Sequence, residues 1–130
     1  MSEFSNSLSV SASGLKAQAQ RLRHVSENIA NADTPGYRRK TVSFETEFGG
    51  RDATGRVETG SVNLDRRELE QVYDPSHPLA DETGHYSGSN VDLMIEIADA
   101  REAQRSYEAN LKMFDQARQM SASLMDLLRR

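Results

Sequence analysis

Two heptad patterns bracket the chain. Leu8, Leu15, Leu22 and Ile29 recur every seven residues, with Phe4, Ala12, Ala19, Val25 and Ala32 at neighbouring positions. That period predicts an amphipathic helix with a coiled-coil seam. Ser11 and Gln18 interrupt the stripe, and Gly14 weakens the helix by roughly 1 kcal/mol relative to Ala, so the expected seam is narrow and wet. Towards the other end Leu93, Ala100, Tyr107, Phe114, Ser121 and Leu128 repeat every seven residues, each of the first five followed four residues later by Ile97, Gln104, Leu111, Arg118 or Met125. Asn90 is the expected N-cap of this second helix, with Asp92 and Glu96 near its positive end and Arg129 and Arg130 at its negative end. A rise of about 1.5 Å per residue makes the first helix about 40 Å long and the second nearly 60 Å.

The first helix ends at NIANADTPGY. Pro35 lacks the N–H a helix needs and biases Thr34 towards extended backbone, while Gly36 tolerates a positive φ; Thr34, Pro35, Gly36 and Tyr37 therefore predict a type II turn. Asn28 and Asn31 lie one turn apart, where their amides either bond backbone groups or a neighbouring helix, or simply face water near a fraying end. Between the helices, VSFETEF, GRVETGSVNLD and LEQVYD read as three short strands, and DPSHPLADETGHY as an irregular loop held by Pro75 and Pro78. The expected organisation is a helix over 1–34, a turn and small β-rich outer segment over 35–89, and a helix over 90–130. The fold class is mainly α, its long terminal helices pairing as a coiled coil around a small β-containing middle.

Composition sharpens this picture. Hydrophobic residues are 36% of the 130, with eight glycines, eight aromatics and no Trp, a leaner apolar content than a globular domain usually carries. The net charge of −4 is spread as +3 over residues 1–40, −6 over 41–90 and −1 over 91–130. An acidic middle with no aromatic platform beside basic residues argues against nucleic acid, and Arg38, Arg39 and Lys40 read as a solvated turn. With no Cys there is no disulfide framework or thiolate site. No run is apolar enough to span a membrane, and the start lacks the features of a cleaved secretory signal. His24, His77 and His85 have no metal-ligand spacing, Asp74, Ser76 and His77 only contain the residue types of a hydrolase, and no cofactor is expected. Ala103, Met113, Ala117, Met120 and Leu124 widen the apolar surface of the second helix beyond a two-stranded seam, which predicts a multi-helix assembly or a broader internal core.

The stretch SGLKAQAQRLRHVSENIANADTPGYRRKTVSFE resembles the N-terminal signature of the bacterial flagellar rod, hook and hook-associated proteins. Asn28, Ile29, Ala30, Asn31, Thr34, Gly36, Tyr37, Phe44 and Glu45 stand at its marked places. SNVDLMIEIADAREAQRSYEANLKMFDQARQM is similar to the same family's C-terminal helix, with Arg105, Ser106, Tyr107, Ala109 and Asn110 in its recurring motif. The short middle and the DPSHPLADETG stretch resemble the C-type proximal-rod members; the ADTPGY turn also matches their B-type siblings, which remain the alternative. Glu27 stands where an Asn is common.

This resemblance implies a structural, non-enzymatic subunit of the flagellar basal body, in the rod that crosses the periplasm and carries torque from the membrane ring towards the hook. It implies export through the flagellar type III apparatus without signal cleavage. Expected partners are copies of itself, other proximal and distal rod proteins and the proteins joining rod to membrane ring, with no direct membrane insertion. The expected assembly interface is Leu8, Leu15, Leu22, Val25, Asn28, Ile29 and Asn31 on the first helix, against Ile97, Tyr107, Asn110, Leu111, Phe114, Leu124 and Leu128 on the second and against neighbouring subunits. A soluble helical adaptor or chaperone is the competing reading.

Overall fold

In the computed structural model, which describes residues 2–129, the heptad patterns become two long helices, α1 Ser2–Ala30 and α2 Leu93–Leu128. Between them lie β1 Lys40–Gly49, β2 Asp52–Leu64, β3 Gln71–Tyr73 and β4 His85–Ser87. The strands form two separate antiparallel ribbons, β1 with β2 and β3 with β4. The fold is thus mainly α with a small β middle, as expected. The start of α2 is capped by Asp92, whose side chain accepts from the Met94 N–H, and not by Asn90. Arg129 is its C-cap; Arg130 lies outside the described residues.

The β1–β2 hairpin is longer than either predicted strand. Its register shifts between Val42 and Phe44 and again between Thr46 and Phe48, irregularities that bend and twist a two-stranded ribbon. One side lies along α1. The Ser13 hydroxyl accepts the Val57 N–H at 3.1 Å while donating to the Val10 carbonyl, Arg56 reaches Ser9, and Thr59 bonds Gln20. The strand β4, within the stretch expected to be an irregular loop, pairs with β3 through Gln71–Ser87, Val72–Tyr86 and Tyr73–His85. In the connecting loop His77 stacks on Tyr86 with ring centres 3.9 Å apart and its Nδ1 accepts the Leu79 N–H. Ser76 donates to Asp74 instead, so the hydrolase residue types are spent on loop geometry.

The seam between the helices differs from the leucine stripe. Buried along the helices are Ser11, Gly14, Val25 and Asn28 on α1 and Glu96, Ala103 and Ala117 on α2, while the buried Ala17 borders Glu47, Val57 and Thr59 of the β1–β2 hairpin. Gly14 and Asn28 sit one position before Leu15 and Ile29, and Glu96 one position before Ile97 with Ala103 and Ala117 at heptad spacing from it; small side chains there let the helices approach closely. Leu8, Leu15 and Leu22 flank the seam half-buried, as do Tyr107 and Phe114. Among the buried apolar residues Val25 is the largest; full burial of such a side chain is worth about 2 kcal/mol, and alanines give less.

Candidate functional site

At the junction of α1, the turn and α2, a polar cluster takes the place of an apolar core. Asn28, in the last turns of α1, is fully buried and meets the hydrogen-bonding capacity of its amide. Oδ1 accepts from the Lys40 N–H and the Tyr37 hydroxyl, both at 2.8 Å; Nδ2 donates to the Lys40 carbonyl at 2.9 Å and Glu96 Oε2 at 3.2 Å. The amide thereby pairs with the backbone of β1 much as another strand would. Burying such a group without partners would cost several kcal/mol.

Glu96, equally buried, accepts from Arg39 Nε at its other oxygen at 2.6 Å. The Arg39 guanidinium also donates to Asp99 at 3.2 Å and lies 3.7 Å from Asp65. Arg21 of α1 reaches Asp99 and Glu102 at 3.4 and 3.3 Å. The expected solvated turn is therefore wrong for Arg39, whose side chain is 12% exposed: three carboxylates offset the loss of water. Burial alone would push the guanidinium down, but the hydrogen bond and charge of Glu96, joined by Asp99 and Asp65, outweigh it and hold the group above the usual arginine value. The Asp65 carboxyl is held below its ordinary 3.8 by the Arg67 N–H and side chain. Glu27 is lowered, and Lys40 raised, by the hydrogen bond between them, and burial raises the Tyr37 phenol.

The Thr34–Tyr37 turn closes this junction. Gly36 has φ +74° and the Tyr37 N–H bonds the Thr34 carbonyl at 3.2 Å, the geometry expected of Pro-Gly. The Gly36 N–H donates to Gly88 and Ser87 carbonyls at 3.0 and 3.2 Å, tying the turn to the end of β4. Asn31 bonds back to the Glu27 carbonyl and receives the Thr34 hydroxyl. Asn90 accepts the Arg39 N–H and donates to the carbonyls of Asp65 and Arg67.

Of the residues singled out from sequence, Val25 and Asn28 are buried in the seam, and Asn110 is half-buried against Gly14. Leu8, Leu15, Leu22, Asn31, Tyr37, Tyr107 and Phe114 are half-buried; Thr34, Pro35, Gly36, Ile29, Ile97, Leu111, Leu124 and Leu128 face outward. Outward too are Met94, 81% exposed, and Met113, Met120 and Leu127. An open groove of about 610 Å³ runs between Phe4 and the Met120, Leu124 and Leu127 side of α2. The sequence reading placed Arg39 in a solvated turn, Glu96 at the positive end of the second helix and Asn90 as its N-cap, and missed that the three meet in one junction. The one signal in the sequence is a carboxylate flanked by Ile95 and Ile97.

Residues 8–38 match the family described as flagella basal body rod protein, and residues 82–127 match the C-terminal region of the flagellar basal body rod FlgEFG proteins. The flagellar basal-body rod protein FlgC of Agrobacterium fabrum is 46% identical, the alignment spanning 99% of this chain and 98% of the relative. The chain belongs to the FlgC family of flagellar basal-body rod proteins. FlgC of Salmonella typhimurium is 34% identical and FlgC of Bacillus subtilis 32%, each alignment covering 94% of this chain and 96% of the relative. As a FlgC-family member it is a structural subunit of the proximal rod in the flagellar basal body, and it assembles with other rod components. Both matched stretches contain halves of the polar junction, Asn28 with Tyr37 in one and Glu96 with Asp99 in the other.

Proposed function

We propose that this subunit assembles helically through α1 and α2 and transmits torque from the membrane ring towards the hook as load shared among many helix contacts. The observation that carries this reading is the division of labour on the helices. Small and polar residues join α1 to α2, while large apolar ones, among them Ile97, Leu111, Met113, Met120 and Leu128, are left in water. An apolar face of this kind is stabilised by burial against neighbours, and contacts that build a rod are heterologous, because self-complementary pairs close on themselves. The polar junction keeps the outer β segment at a fixed angle to the helix pair under load. Its partners are further copies, other proximal and distal rod proteins and the proteins joining rod to membrane ring. The subunit reaches the periplasm-spanning rod through the type III apparatus without signal cleavage, and the thin helix seam supports passage as an unfolded chain. The test is a chain carrying Leu111→Asp and Met94→Asp, both at exposed positions outside the buried seam residues. It should be expressed normally yet be missing from purified basal bodies of non-swimming cells; normal incorporation would defeat the proposal.

A further inference from the structure

Small seam residues alone do not fix how far α1 and α2 slide along one another, since an alanine fits equally well one turn away. Two contacts are more demanding. At Gly14 an added Cβ would lie 2.7, 2.8 and 2.9 Å from Oδ1, Cγ and Nδ2 of Asn110, so the carboxamide occupies the notch left by the missing side chain. It cannot swing away freely, because Nδ2 donates to the Ser106 carbonyl at 2.9 Å. Gly14 is the only glycine in either helix, so no other position offers this notch. The second contact is Asn28 with Glu96, both fully buried, the carboxylate held also by Arg39.

The spacings agree. Fourteen residues separate Gly14 from Asn28, and fourteen separate Glu96 from Asn110, four turns at the coiled-coil period and about 21 Å at the usual rise. With the helices antiparallel, both contacts close in one register. A slide of one turn, about 5.4 Å, opens both, driving Asn110 against a side chain and stripping Glu96 of its amide donor. We infer that the Gly14–Asn110 notch and the Asn28–Glu96 pair together specify the register of the helix pair, with Asn110 and Glu96 as positioning residues. A buried polar group that fixes register is an established use of such groups in coiled coils. Register matters to assembly because it sets how the outward faces of α1 and α2 align, yet the inference concerns the helix pair alone and stands apart from the rod reading.

Cysteine cross-linking in the full chain tests it. Ser7 and Ala117, one heptad beyond the notch on each helix, line one groove; Ser7→Cys with Ala117→Cys reports the native register, and Ser7→Cys with Ser121→Cys a slip of one turn. Gly14→Leu should lower the native cross-linking rate at least fivefold and raise that of the slipped pair. Gly14→Ala, although Ala is the better helix former, should also slow the native cross-link, and adding Asn110→Ala should restore it. Should Gly14→Leu unfold the chain, the Gly14→Ala pair decides. An undiminished native rate in Gly14→Ala, or no recovery on removing the Asn110 carboxamide, would overturn the inference.

Discussion

Three carboxylates converge on Arg39, and only one of them, Glu96, has no access to water. Removing the cation therefore costs more than removing that one anion. Arg39→Met leaves Glu96 buried with the Asn28 amide alone and should destabilise the chain by about 3–5 kcal/mol, whereas Glu96→Gln leaves Arg39 with Asp99 and Asp65 and should cost clearly less; thermal unfolding followed by circular dichroism ranks them. The pH dependence follows from Asp65. Its folded-state value is depressed below 3.8, so its contribution is fully present above that pH and is lost as pH falls through the folded value. The Asp65 contribution should thus be constant above about pH 5 and lost in stronger acid, so that Asp65→Asn removes part of the acid response of the chain, as an acid titration would show. None of this was legible in the sequence: 57 residues separate Arg39 from Glu96, and a run of three basic residues looks the same whether solvated or buried.

The elements divide into those with local causes and those without. The type II turn was readable because Pro35 and Gly36 act on their own backbone. No atom lies within 4 Å of a Cβ built on Gly36, so the penalty for replacing it is conformational, about 1–2 kcal/mol for ordinary residues in the left-handed region and greater for a β-branched one. Gly36→Asn should accordingly retain more swimming and a higher melting temperature than Gly36→Val; equal loss in both would show that the turn's sign of φ is not what matters. The helices were readable from their period. Their seam was not, since counting large apolar residues finds the flank of a close-packed pair, while Ser11 and Gly14 carry no hydrophobic signal. The strand β4 escaped notice because three residues gain their meaning only from pairing with β3.

Across the whole molecule these features produce a gradient. One end of the helix pair is braced by Asn28, Arg39 and Glu96 together with the turn and the β3–β4 ribbon, and the β1–β2 ribbon runs along α1 as far as Ser9; beyond it, where Phe4 lies near Met120, Leu124 and Leu127, the pair ends in an open apolar groove. Helices gain most of their stability from packing, so the open end should be marginal until neighbouring subunits supply the missing surface. Amide hydrogen exchange in the free chain and in isolated rods measures this most directly, since it reports opening segment by segment. Residues 3–8 and 118–128 should exchange far faster in the free chain than the junction around Asn28 and Glu96, and both segments should become strongly protected in the rod. Equal protection of those segments in the free chain and in the rod would contradict the account.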